Sequence, residues 1–200
     1  MPKTTVAVFD FDKTITVCDS LVPFLIDLEG PWKTFAKLSW LLPSFIAFGL
    51  GNLPRQTVKE KILTSFLKDM PLTLLQERGR QYAQHNLNRL VKAEAIERLK
   101  WHQQKGHRCI LVSASIDCYL MPWAQQHGFS DALTSILETT AENNVTGKLR
   151  GKNCWGEEKK RRLTELLGPK EQYVLYMYGD SQGDQELLEM ADYPFYRKFS

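Results

Sequence analysis

The chain has 200 residues, 43% of them hydrophobic and 24% charged, with a formal net charge of +3. That length supplies a sizeable core for one or two domains, and the composition is that of an ordinary soluble globular protein. So small a charge, with no long basic run, gives no reason to expect nucleic acid as a partner. Cys18, Cys109, Cys118 and Cys154 include no CxxC pair, so free thiols in a reducing compartment are expected. Met1-Pro-Lys-Thr-Thr5 leads straight into an apolar run without a signal region, and the expected location is cytoplasmic.

Taken in chain order, Val6 to Phe9 is the first apolar, β-prone run, and Cys109 to Val112 and Tyr173 to Met177 are the others. Each is followed by a small or acidic residue and a helix-like segment, which predicts a parallel sheet flanked by helices. Between the first two runs, helices are predicted over Ser20 to Glu29, Lys33 to Phe48, Arg55 to Lys68 and Leu72 to Leu87. Pro54 and Pro71 stand near helix starts. Val91 to Lys105 is the helix returning to the sheet, with Gly106 as its stop. The plain reading is a helical insertion, a cap, over the mouth of the sheet. Further on, Leu137 to Thr140 and Val145 to Lys148 form a hairpin around Glu142-Asn-Asn. Helices follow over Gly156 to Leu167 and from Asp184 to Met190, and Tyr193-Pro-Phe-Tyr-Arg197 adds a short edge strand.

Four segments carry the chemistry: Asp10-Phe-Asp12-Lys-Thr14, Val112-Ser113-Ala-Ser115, Gly156-Glu-Glu-Lys159 and Gly179-Asp180-Ser-Gln-Gly-Asp184. The first puts two carboxylates, two positions apart, at the C-terminal end of a predicted strand, where open α/β sheets place ligands. Singly, each has a bland reading as a turn, a helix cap or a solvated lysine. In this order, three of them at or just after predicted strands, they resemble the haloacid dehalogenase (HAD) superfamily. His85, His102, His107 and His127 form no metal-binding spacing and are read as surface or packing residues.

The resemblance implies a Rossmann-like α/β core at residues 1–17 and 92–200 with an all-helical C1 cap at 18–91. It also implies phosphoryl transfer through an aspartyl-phosphate. Asp10 would attack phosphorus, and Asp12 would protonate the leaving oxygen and then deprotonate water. Ion-pump ATPases share Asp-Lys-Thr but carry threonine where this chain has its second acid, so here hydrolysis is the expected fate. Ser113 would donate to a phosphoryl oxygen, and Lys159 would steady Asp10 and the phosphoryl group. Lys160 is also basic, but the spacing Cys154-x-Gly156-x-x-Lys159 favours Lys159. Carboxylates facing a phosphate need a cation between them, and Mg²⁺ suits oxygen ligands shared with phosphate. By resemblance its ligands are the Asp10 carboxylate, the Asp12 carbonyl and Asp180, with Asp184 behind them orienting a water or the lysine.

Specificity is expected in the cap. Asp19 lies where phosphoserine phosphatases of the superfamily place a glutamate for the substrate amine; the other reading is a helix cap with Ser20. Thr14 and Ser115 join it as candidate substrate-binding residues. Residues 35–50 are very apolar, interrupted by Pro43 and too short to span a bilayer. From Pro31 to Lys68 six basic residues and Glu60 leave +5, which suits peripheral contact with an anionic membrane at its inner face. A helix packed between cap and core is the alternative. The whole pattern, with Asn153-Cys-Trp-Gly-Glu-Glu-Lys159, is similar to subfamily IB and its phosphatidylglycerophosphatase C-like proteins. The expected activity is a Mg²⁺-dependent phosphomonoester phosphatase acting on a lipid phosphate such as phosphatidylglycerophosphate. The alternatives are a soluble phosphatase for phosphoserine, histidinol phosphate, phosphocholine or phosphoethanolamine, and an inactive Mg²⁺-binding scaffold.

Overall fold

A computed structural model describes residues 3–199; Met1, Pro2 and Ser200 lie outside the described residues. Five strands, β1 (Thr4–Phe9), β2 (Arg108–Ile116), β3 (Asp131–Ser135), β6 (Tyr173–Gly179) and β7 (Tyr193–Tyr196), form one parallel sheet in the order β3-β2-β1-β6-β7. A separate antiparallel hairpin joins β4 (Leu137–Thr139) to β5 (Val145–Leu149). The expected α/β architecture is therefore present. β3 was not foreseen, because Asp131-Ala-Leu-Thr-Ser135 is short and half polar.

Alternation along the central strands fills both faces of the sheet. Ala7 and Phe9 of β1 enter one hydrophobic cluster with Cys109 and Leu111 of β2, while Val6, Val8, Ile110 and Val112 enter the other. The second face is covered by α8 (Glu157–Leu167) and α9 (Gln185–Met190) through Leu163 and Leu187. The first is covered by α6 (Ala93–Gln104) and α7 (Asp117–Gln126).

Between β1 and β2 the chain makes five helices: α1 (Leu21–Glu29), α2 (Pro31–Trp40), α3 (Leu42–Gly49), α4 (Arg55–Leu67) and α5 (Leu72–His85). The single helix expected from Lys33 to Phe48 is a correction, since the chain breaks at Leu41 into α2 and α3. Pro43 is the reason: it has no N–H to give, and its ring would clash with the carbonyl of Ser39 in a continuous helix. The end of the predicted fourth helix, around Leu87, is a separate short 3₁₀ turn. The return helix starts at Ala93 because Val91 instead bridges Thr16, and Val17 N–H donates to Leu90 O at 2.8 Å. Entry to and exit from the insertion are thus tied to each other.

The insertion shares a core with the sheet. Leu63, Leu67, Leu75 and Tyr82 belong to the same cluster as Phe9, Phe11 and Trp123. Two glycines permit the close approach. A Cβ on Gly79 of α5 would lie 2.2 Å from the Cys118 carbonyl oxygen, and one on Gly147 of β5 would lie 2.3 Å from Thr64 Cα of α4. Gly147 also has φ of +84°, a conformation in which a side chain is strained. Gly147→Ala should therefore destabilise the protein by about 1–3 kcal/mol and lower its melting temperature by several degrees. Calorimetric melting of the two proteins checks this, and an unchanged transition would mean that α4 and β5 do not pack this tightly.

Candidate active site

Three strand ends converge by register. Phe9 pairs with Leu111 on one side and Tyr178 on the other, so Asp10, Ser113 and Asp180 all emerge at one edge, with the nucleophile candidate on the central strand. Asp10 N–H donates to Tyr178 O at 2.9 Å, continuing the ladder by one residue. The chain then makes a wide turn over Phe11–Ile15, closed by Thr16 N–H donating to Phe11 O, with Lys13 at φ of +62°. This turn swings the Asp12 side chain away from the end of the sheet and towards the insertion.

β2 runs to Ile116, four residues beyond the predicted end, but its pairing with β3 breaks between Val112 and Ile116. Ser113 and Ser115 lie in that irregular stretch, where backbone and side chains turn to local partners. Ser115 N–H donates to Ser113 Oγ at 3.0 Å, and the Ser115 hydroxyl donates to Asp12 Oδ2. Asp12 Oδ1 accepts the amide of Ser20 at 2.7 Å. Burial pushes the Asp12 carboxyl up to about 6, with the charge of Asp19 adding and the Ser115 and Ser20 hydrogen bonds pulling back.

Lys159, on the first turn of α8, reaches through the buried site. Its Nζ lies 2.6 Å from Asp10 Oδ1 and 2.6 Å from Asp184 Oδ1. Burial alone would favour the neutral amine, but the two carboxylates outweigh it and hold Lys159 well above the ordinary lysine range. Asp184 has no oxygen to spare. Its Oδ2 accepts the amides of Asp180 and Ser181 at 3.2 and 3.1 Å and the Ser181 hydroxyl at 2.8 Å. Asp180 Oδ1 accepts the Thr14 hydroxyl at 3.3 Å, and burial raises the Asp180 carboxyl.

Asp10, Asp180 and Asp184 present carboxylate oxygens within 4.8 Å of one another and are at most 9% exposed. Three carboxylates against one ammonium leave two negative charges in a dry site. Burial accordingly pushes Asp10 up to about 7, opposed by Lys159 and reinforced by Asp184 and Asp12. One hard divalent cation with oxygen ligands balances that account. Asp10 and Asp180 are the donors with an oxygen to offer. The Asp12 carboxylate faces Ser20 and Ser115 and stands outside this carboxylate group. Asp184 is committed to Lys159 and the turn amides.

Beside Asp12 and Ser115 opens a cavity of about 270 Å³, floored by Ala114 and Ile116 and walled by Phe45 and Phe48 of α3. Asp19 lies on its rim and also accepts the Leu21 amide at 2.9 Å, so both readings of this residue have a contact to stand on. Sequence reasoning missed several residues here. Lys59 and Arg55 were counted only as a basic flank, although Arg55, Val58, Lys59 and Ile62 recur at helical spacing and line the cavity together. Arg197 was missed too: its Nε donates to Asp180 O at 2.9 Å from beyond the edge strand β7. His102 is a packing residue, its ring nitrogens bonded to Tyr178 and His107.

Comparison with known proteins agrees with this geometry. Residues 7–189 match the family of haloacid dehalogenase-like hydrolases. Over 191 residues the chain is 32% identical to Protein CicA of Caulobacter vibrioides, covering 96% of this chain and 85% of that protein. A protein with unknown function from Bordetella pertussis Tohama I superposes with a TM-score of 0.84 at 21% identity, over 98% of this chain and 90% of that one. A phospho-aspartyl intermediate analogue of phosphoserine phosphatase superposes at 0.60 with 19% identity, over 95% and 84%. The two solved structures speak for the fold; the match along almost the whole sequence makes the chain a member of the haloacid dehalogenase-like hydrolases.

Proposed function

We propose that the chain is a Mg²⁺-dependent phosphomonoester phosphatase of the subfamily IB, phosphatidylglycerophosphatase C-like kind, acting on a lipid phosphate at a membrane surface. The observation that carries the chemistry is the division of labour between two carboxylates. Asp10 is held by Lys159 at the end of β1, and Asp12 is held apart from it by Ser115 and Ser20. A silent Mg²⁺-binding scaffold has no use for an acid so placed.

Asp10 attacks phosphorus and forms an acyl phosphate as the ester P–O bond breaks. The leaving alkoxide takes the proton of Asp12, whose raised affinity keeps a protonated fraction near neutral pH. Asp12, now a carboxylate, removes a proton from water; the water oxygen bonds to phosphorus and the Asp10–phosphorus linkage breaks, releasing inorganic phosphate. Lys159 and the Ser113 hydroxyl stabilise the charge on the phosphoryl oxygens throughout. Bound at Asp10, Asp180 and the Asp12 carbonyl, Mg²⁺ would neutralise the phosphate against the carboxylates.

The lipid assignment is supported by an inverted helix face. On α2, Trp32, Phe35, Ala36 and Trp40 all point outward, at i, i+3, i+4 and i+8, and so do Leu42 and Ile46 on α3 and Leu50 just after it. Trp32 and Trp40 are both 86% exposed, where a water-facing helix carries polar residues. Lys33 and Lys61 flank this face; Lys61 donates to Ser44 at the start of α3. Among the described residues no helix is long and apolar enough to cross a membrane, so contact through these short helices is peripheral. A second reading, a small amine-bearing ester met in solution, draws on Asp19 at the cavity rim.

Asp10→Asn should abolish Mg²⁺-dependent phosphate release. Asp12→Ala should slow it by about 100- to 10,000-fold, and chelation of the metal should stop it. Radiolabelled ester should leave acid-stable label on the wild-type protein and none on Asp10→Asn; label on both would place the nucleophile elsewhere. The protein should also sediment with anionic phosphatidylglycerol vesicles at low salt. Trp32→Ser and Trp40→Ser should each weaken that binding by about tenfold. A protein that ignores such vesicles and turns over only water-soluble esters would remove the lipid assignment.

A further inference from the structure

Lys59 is a half-buried cation that shares its cavity with the carboxylates of Asp12 and Asp19 without forming an ion pair with either. Its Nζ donates to the Ala114 carbonyl and, at 2.9 Å, to Asn153 Oδ1, and both partners are neutral. Asn153 is itself fixed, since its Oδ1 also accepts the Ser135 hydroxyl at 2.8 Å and its N–H donates to Gln56 Oε1 at 3.1 Å. Among the described residues no ion pair includes Lys59 or Arg55. An ammonium has three N–H donors, and these contacts use two. Burial lowers Lys59 to about 8, against the upward pull of Asp12. Keeping a charge in such a place is costly unless an anion completes it.

The position says which anion. Ala114 stands between Ser113 and Ser115, and Ser115 holds Asp12, the acid that meets the leaving oxygen. The cavity runs from Asp12 to Lys59, so it receives the leaving group and not the transferred phosphoryl. At the mouth, Arg55 lies between two aromatic rings, 5.6 Å from that of Phe48 and 4.9 Å from that of Trp155, held by ring faces with no carboxylate as partner. We propose that Lys59, with Arg55 at the mouth, forms a second anion subsite that reads a negatively charged group on the leaving-group side of the substrate. The chain thereby selects phosphomonoesters that carry two anionic groups. The subsite rests on the phosphatase reading for its use, not for its chemistry. The second anion is a phosphodiester if the substrate is a lipid of the phosphatidylglycerophosphate type, and a carboxylate if it is a small amino-acid ester.

Three esters separate these cases: the deacylated headgroup glycerophosphoglycerol phosphate, with a diester beside its monoester; phosphoserine, with a carboxylate; and glycerol 1-phosphate, with neither. The wild type should prefer a two-anion ester. Lys59→Met should reduce its kcat/KM ratio to glycerol 1-phosphate by about 30-fold, mainly through KM, and Lys59→Arg should restore part of the preference. The ester whose preference collapses identifies the source of the anion. Equal losses on all three esters, or none, would overturn the subsite. Calorimetric titration with glycerophosphoglycerol and with serine, neither of which has a monoester to hydrolyse, decides independently of turnover. Binding of either that is lost in Lys59→Met supports the subsite; no binding, or equal binding in the two proteins, overturns it. Should the wild type release phosphate from no ester, the phosphatase reading fails while the titration still decides the subsite.

Discussion

The contact on which the rest depends is the Lys159 ammonium shared by Asp10 and Asp184. It joins the end of the central strand, the first turn of α8 and the turn before α9 in one dry site. Breaking one side of such a pair leaves an unpaired buried charge, a penalty of several kcal/mol, so the three segments are strongly coupled. Asp184 is tied into this coupling through both of its oxygens. With both oxygens engaged by the lysine and the turn amides, it fixes the Asp180 backbone and leaves the Asp180 and Asp10 carboxylates facing the open end of the sheet.

Asp12 belongs to a different environment although it is two residues away. The wide turn after β1, with Lys13 in a left-handed conformation, separates the two acids in direction, so that one meets a lysine and the other two serines. Burial raises both carboxyls, Asp10 to about 7 against the pull of the Lys159 ammonium and Asp12 to about 6 against the Ser115 and Ser20 hydrogen bonds. In the proposed reaction it is direction that separates their roles: Asp10 is held beside Lys159 at the end of the sheet, and Asp12 faces the leaving-group cavity.

Much of this was legible in the sequence because it is local. Alternation in Val6 to Phe9 with Asp10 and Asp12 directly after, or a lysine three residues past Gly156, depends on spacing, and the backbone preserves spacing. What could not be read is set by contacts across the fold. The partner of Lys59 is a carbonyl 55 residues away, and the helical spacing of Arg55, Val58, Lys59 and Ile62 marks one face of α4 without saying what that face meets. The break at Leu41 is half legible, since Pro43 interrupts the apolar run without showing where one helix ends and the next begins. β3 escaped because a short strand at the edge of the sheet's central trio needs little hydrophobic pattern to pair.

The same helix carries the link between surface and site. On α3, Ile46 and Leu42 face out, while Phe45 and Phe48 wall the cavity that starts at Asp12. On the proposed lipid reading, a lipid lying against the outer face would reach the leaving-group pocket past α3, whose Phe45 and Phe48 line it. Three cations of α4 stand around α3: Lys61 donates to Ser44, and Arg55 and Lys59 line the cavity together with Asp12 and Asp19. In the proposed lipid reading an anionic headgroup would be met by Arg55 and Lys59, and its tails would keep contact with the exposed aromatic surface of α2. A small soluble ester needs only the cavity, so exposed Trp32 and Trp40 would have no function for it; the proposed lipid reading gives both the surface and the cavity a use.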